Sequence, residues 1–176
     1  MVLKKILVPT DFGPASAVAL QHGRDLASSF GATLHVLHAI GDLVTMTTMP
    51  PTYVPDLTQA LKEREADARA RLRRMLAADA PEAKRAEVVV SAASPASAIV
   101  SYAESHGIDL IVMGTHGRNA ITQLLLGSVA EKVVRSASCP VLTVRHAERD
   151  RNADADRKRR SKRPRKTRRS AKAARV

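Results

Sequence analysis

The chain has 176 residues, is 44% hydrophobic with two Phe, two Tyr and no Trp, and carries one cysteine, Cys139. That length suits one domain with an aliphatic core, and a single thiol excludes an intramolecular disulfide framework. The formal charge is +12 at pH 7; no apolar run approaches the roughly 18 residues of a membrane span, and Met1-Val2-Leu3-Lys4-Lys5 leads into a strand rather than a secretory leader, so a cytoplasmic protein is expected.

Ile6 to Val8 form a short apolar strand. Gly13-Pro14 opens a helix, with Gly13 as N-cap and Pro14 at the first helical position, where its missing N–H has no intrahelical acceptor to lose. The helix runs to about Phe30 and stops at Gly31, the position that favours a left-handed residue. Ala32 to Ala39 is the second strand. Residues Gly41 to Pro55 include Met46, Met49, Pro50, Pro51, Tyr53 and Pro55, which suit neither helix nor strand. They read as a long surface loop, with a lid over a ligand as the other reading.

Asp56 to about Ala80 places Leu57, Leu61, Ala68, Leu72, Met75 and Leu76 at three-, four- and seven-residue steps, an amphipathic packing stripe. Val88 to Val90 form a third strand. Ser94-Pro95 starts the next helix as N-cap and first residue, with Ile99, Val100 and Ala103 facing inward. Ile108-Asp109-Leu110-Ile111-Val112-Met113 is apolar and β-branched enough for a strand buried on both faces. A helix from Ser128 carries Val129, Ala130, Val133, Val134 and Ala137, and Val141 to Val144 is the last strand. Strands alternating with helices imply an α/β fold, a five-stranded parallel sheet covered on both faces and joined by right-handed crossovers.

Between the fourth strand and the last helix, Gly114-Thr115-His116-Gly117 is followed by nine residues and then Gly127-Ser128. This Gly-x2-Gly-x9-Gly-Ser junction can hold phosphate: glycines admit close backbone approach, and the first helical N–H groups lie at the positive end of the macrodipole. Ser128 and Glu131 also fit a Ser-x-x-Glu capping box, which explains both residues with no ligand.

Signs of catalysis are sparse. The Gly-x4-Gly-Lys-Ser/Thr loop of P-loop hydrolases is absent. Asp11 can either position a metal or water, or shape the Asp11-Phe12-Gly13 turn. His116 and Arg118 are the histidine and the cation best placed for a terminal phosphate, or else solvated loop residues. The other histidines show no metal-ligand spacing, so neither a catalytic residue nor a protein-only metal site is assigned.

From Arg157 to Val176 twelve of twenty residues are Lys or Arg and none is acidic. Removing those twelve from the 29 basic residues leaves 17, against 17 acidic, so residues 1–156 are formally neutral. Such a tail cannot bury enough surface to fold alone, and its natural partner is a polyanion, whether nucleic acid, polyphosphate or anionic lipid. It has no aromatic residue for base stacking, so nucleic-acid contact is expected through the backbone, insensitive to sequence.

From Lys4 to about Arg145 the chain resembles the universal stress proteins. The resemblance rests on Lys5-Ile6-Leu7-Val8-Pro9-Thr10-Asp11, Leu37-His38-Ala39-Ile40, Asp109 to Gly117, Leu126-Gly127-Ser128-Val129-Ala130 and Cys139-Pro140-Val141-Leu142-Thr143-Val144. It implies a Rossmann-like sheet of strand order 3-2-1-4-5, of the adenine nucleotide alpha hydrolase-like kind, with the ligand past the carboxyl ends of the first and fourth strands, where the winding reverses. It further implies ATP, with Mg2+, as the ligand. Pro9, Thr10, Asp11 and Ala39 would surround the adenine, and Met113 and Gly114 would flank the ribose. Gly117, Gly127, Ser128 and Val129 would face the phosphates, with His116 and Arg118 at the rim. Ala39 stands where many relatives carry valine. The family also implies a homodimer through the last strand.

The resulting reading is a nucleotide-binding body over residues 1–146 with regulatory function in stress response, followed by a disordered basic tail over 147–176. Two alternatives stand beside it: an inert scaffold whose tail binds nucleic acid, and a slow ATP hydrolase or autophosphorylating protein with Ser128 or another hydroxyl near the γ-phosphate.

Overall fold

A computed structural model of the protein describes residues 2–41, 57–77, 86–115 and 126–145. The Gly41–Pro55 loop beyond its first residue, the middle of the glycine junction and the whole basic tail lie outside these.

The elements run β1 (Lys5–Pro9), α1 (Pro14–Phe30), β2 (Thr33–Ala39), α2 (Leu57–Ala77), β3 (Ala86–Ser91), α3 (Pro95–His106), β4 (Leu110–Gly114), α4 (Ser128–Ser136) and β5 (Val141–Val144). The helix boundaries follow the sequence signals. Gly13 and Ser94 are N-caps, each followed by Pro in the first turn. Gly31 and Gly107 end α1 and α3 at φ 64° and 60°, a conformation that disfavours any residue with a Cβ.

All strand pairs are parallel and the order is β3-β2-β1-β4-β5, as expected. Alternation along each strand feeds two cores. Ile6, Val8, Leu34, Val36 and Val112 meet Ala19 and Leu20 of α1 and Leu72 and Leu76 of α2. Leu7, Leu37, Ile111 and Met113 meet Ile99 and Ala103 of α3 and Ala130 and Val133 of α4. Each fully buried aliphatic side chain contributes about 1.5–3 kcal/mol.

Two contacts fix the register of the central pair. The Asp109 carboxylate accepts the backbone N–H groups of Lys4 and Lys5 at 2.8 and 2.9 Å, holding the start of β4 beside β1. Those two hydrogen bonds lower the Asp109 pKa below its usual value. Gly23 lets α1 lie close on β1, since a Cβ there would overlap Val8 Cγ2; nothing in the local sequence pattern marks that need.

β1 and β4 are neighbours at the centre of the sheet, with the chain winding outward in opposite directions from them. Their carboxyl ends therefore diverge into a crevice. Among the described residues, no helix is long and apolar enough to cross a membrane.

Candidate functional site

The turn after β1 builds one wall of the crevice. Thr10 is buried and its N–H donates to Leu37 O at 2.8 Å, continuing the β1–β2 pairing. Thr10 Oγ1 accepts the Phe12 N–H at 3.0 Å and lies 3.0 Å from Ser16 Oγ. The Ser16 hydroxyl faces Asp11 Oδ1 at 2.7 Å and Gly13 O at 2.9 Å. Ser16 has one proton to share between those acceptors, so Thr10 donates in the Thr10–Ser16 bond.

Asp11 Oδ1 also accepts the Gly13 N–H at 2.9 Å. Of the two roles open to Asp11 in the sequence, the turn-shaping one accounts for its Oδ1. This closed network fixes both the β1 terminus and the first turn of α1.

Gly127 opens α4, whose Val129 and Ala130 supply the opposite wall. The Gly127 N–H donates to Thr115 O at 2.8 Å, and the Thr115 N–H donates to Val144 O at 3.0 Å, so both ends of the glycine junction are tied to the sheet. Gly127 is the N-cap of α4 and has no side chain to cap with.

The capping-box reading is thereby corrected. With Gly127 at the cap, Ser128 is the first helical residue and Glu131 stands one position too deep to reach back. Glu131 instead pairs with Arg135 at 2.6 Å on the exposed surface. No N-cap side chain occupies the first-turn N–H groups of α4, which leaves this helix end suited to an anion.

Between these walls lies a cavity of about 150 Å³. Seven residues singled out in the sequence line it: Pro9, Thr10 and Asp11 from the end of β1, Ala39 from β2, Met113 and Gly114 from β4, and Val129 from α4. Gly127 and Ser128 are at the adjacent helix start, outside the cavity lining. His116, Gly117 and Arg118 lie outside the described residues.

Other lining residues were not singled out from the sequence. Leu37, Ile99 and Ala130 give the cavity an apolar floor, and Ser16, His38, Pro95 and Thr115 complete the rim. Position offered a usable signal for two of them. Ser16 falls three residues after the N-cap Gly13, and Pro95 opens the helix that leaves β3, so both sit at helix starts over the carboxyl ends of strands. His38 is held by a 2.8 Å hydrogen bond between Nδ1 and Thr10 O, a contact across strands that no local pattern reveals.

The cavity is small beside the roughly 300–1,000 Å³ typical of whole ligand sites. Its apolar lining suits one planar ring system, and anything larger has to extend toward the α4 N-terminus. Fold and site thus define an open, parallel α/β protein with its candidate ligand cavity at the topological switch point.

The comparisons give that class its family. The sequence model of the Universal stress protein family matches residues 3–145, and the chain belongs to that family. Universal stress protein MJ0531 of Methanocaldococcus jannaschii is 34% identical over 149 residues, covering 84% of this chain and 85% of its own. Universal stress protein YxiE of Bacillus subtilis is 32% identical over 149 residues, 82% of this chain and all of its own.

Among solved structures, universal stress protein UspA from Lactobacillus plantarum matches with a TM-score of 0.70 at 29% identity, over 82% of this chain and 99% of its own. A universal stress protein solved in complex with cAMP matches with a TM-score of 0.52 at 26% identity, over 82% of this chain and 98% of its own.

Proposed function

We propose that this universal stress protein binds an adenine nucleotide, ATP with Mg2+, in the crevice between β1 and β4, and that occupancy regulates its contacts with partners. The observation that carries the reading is the meeting of an apolar cavity, bounded by Pro9, Ala39, Met113 and Val129, with a helix end whose cap is a glycine. The first suits an adenine ring and the second its phosphates. The cAMP complex of a related protein supports an adenine nucleotide over other ligands of that size.

In this reading Pro9, Thr10, Asp11 and Ala39 surround the base, while Met113 and Gly114 flank the ribose. Gly117, Gly127, Ser128 and Val129 serve the phosphates, with His116 and Arg118 at the rim. Mg2+, when bound, would offset the charge of those phosphates. Asp11 Oδ1, already held by Gly13 and Ser16, acts through the turn, so the protein is a binding protein rather than an ATP hydrolase.

The body spans residues 1–146, pairs with a second copy through β5, and is followed by the basic segment 147–176, in a cytoplasmic setting. Twelve cationic residues among the last twenty favour a polyanion as that segment's partner.

Isothermal titration of the full chain with MgATP, at salt high enough to suppress binding by the tail, tests the central reading. Saturable binding that disappears in a folded Gly117→Asp variant is expected. Heat that is equal in the two proteins places binding away from the Gly117 loop, and no saturable heat in either removes the nucleotide.

A further inference from the structure

We propose that the groove between the start of α1 and the flank of α2 is a second ligand site, for a small molecule bearing an oxyanion, with Arg71 and Arg74 as its anion-binding residues. The groove measures about 630 Å³, within the roughly 300–1,000 Å³ range of ligand sites. It extends from Gly13 and Ala17 across Phe12 to Asp67, Arg71, Arg74 and Met75. These residues belong to the α1/α2 face of the sheet, whereas Ile99, Met113 and Val129 of the switch-point cavity belong to the other. Thr10 and Ser16 line both and form the wall between them.

The cations here are presented for an oxyanion. The Arg71 guanidinium lies 4.1 Å from the centroid of the Phe12 ring. This cation–π contact holds the guanidinium against the ring, which uses none of its five N–H donors. Among the described residues the ion pair on α2 joins Arg69 to Glu65, and neither Arg71 nor Arg74 takes part in one. Arg24 Nη2 donates to Met75 O at 3.0 Å, fixing α1 to α2 at the edge of the groove.

The field points the same way. α1 has no acidic residue in its first turn, but the Asp11 carboxylate accepts the N–H of its N-cap Gly13 and offsets that helix end, so Arg71 and Arg74 are the source of the positive field. Asp67 is the one carboxylate among the lining residues, leaving the cations in excess.

Phe12 marks the place as more than a surface fold. It has φ 62°, the only positive φ outside glycine among the described residues, which is an outlier for a bulky side chain. Its ring sits between His38, with centroids 4.4 Å apart, and Arg71. Backbone strain held by surrounding contacts concentrates at binding sites.

The test is a titration of the 15N-labelled full chain with inorganic phosphate and, separately, with malonate, read by backbone amide shifts. Wild type should give saturable shifts in Phe12–Ala17 and Asp67–Met75 with at least one probe. R71Q/R74Q should weaken that response by about tenfold, and D67N should tighten it about threefold by removing the opposing charge. All three side chains are exposed, and the unperturbed amides report whether each variant keeps its fold. The proposal is overturned by shifts confined to residues 127–130 or 157–176, by groove shifts that persist undiminished in R71Q/R74Q, or by no saturable shift with either probe. None of these outcomes depends on nucleotide binding.

Discussion

A Cβ placed on Gly114 would lie 2.9 Å from Ala15 Cβ and 3.0 Å from the Ala15 carbonyl carbon. The end of β4 and the first turn of α1 meet here with no room for a side chain. The glycine that sequence alone assigns to ligand approach is also needed for packing, and it lines the cavity because that packing draws both elements together. Gly114→Ala should therefore destabilise the fold by about 1–3 kcal/mol, the usual cost of overpacking. Urea unfolding monitored by circular dichroism measures it; an unchanged midpoint would mean that α1 moves away freely.

The turn network predicts a graded response at Asp11. Asp11→Asn keeps an oxygen acceptor for the Gly13 N–H and the Ser16 hydroxyl and should retain most of the stability. Asp11→Ala removes that acceptor and should cost about 1–3 kcal/mol. Equal losses in both variants, measured by the same unfolding experiment, would show that charge rather than hydrogen-bond geometry is what the turn requires.

Acid should destabilise the protein in two stages. His35 is buried, with Nδ1 2.9 Å from the Tyr102 hydroxyl and 3.2 Å from Glu87 Oε2, while Nε2 has no partner among the described residues. A proton on Nδ1 leaves Nε2 as a bare acceptor, the less costly orphan, whereas the imidazolium would bury an unpaired N–H. Burial is the main cause of a lowered His35 pKa; the Glu87 charge opposes it, and Lys5 and His106 reinforce it.

Because the unfolded chain then binds more protons, His35 contributes stability that is complete above the ordinary histidine value of 6.5 and is lost as pH falls through its lower folded pKa. Asp109, lowered by its bonds to Lys4 and Lys5, adds a loss of the same sign below 3.8. Unfolding midpoints that decline between pH 7.5 and 5 in wild type, and decline less in His35→Gln, are expected; parallel declines would remove His35 from the account.

The β5 edge makes the proposed dimer testable. Leu142 on β5 and Val134 on α4 are 42% and 47% exposed, large apolar side chains available for a second copy at an otherwise open sheet edge. Sedimentation of the full chain should give the mass of two copies, and Leu142→Arg should give the mass of one. A wild-type monomer at working concentration defeats the dimer.

For the basic tail, affinity for duplex DNA should be independent of sequence. If about 6–10 phosphates are neutralised, it should fall roughly a thousand- to a hundred-thousand-fold between about 50 and 200 mM salt. Sequence preference, or binding that barely responds to salt, would contradict backbone-directed contact.

What was legible in the sequence is what local chemistry controls. Helix limits followed Gly13-Pro14, Gly31 and Ser94-Pro95, and the alternation of strands and helices gave the parallel sheet. The family resemblance supplied the strand order. The same resemblance named seven residues of the cavity lining, six at or just past strand ends and Val129 in the first turn of α4. Long-range features were not legible. Gly23 is needed because Val8 sits beneath it, His35 is buried against Tyr102 from another element, and Phe12 is held by partners at positions 38 and 71. The Ser128–Glu131 reading missed by a single residue, because the helix begins at a glycine cap and places the pair one step too far along.

The measurement that tests the central claim most directly is a search for nuclear Overhauser contacts between the adenine H2 and H8 protons of MgATP and the methyl groups of Met113 and Ala39 in the full chain. The account predicts contacts to both methyls, since both residues line the β1–β4 cavity. Saturable ATP binding without either contact would place the base elsewhere and contradict it.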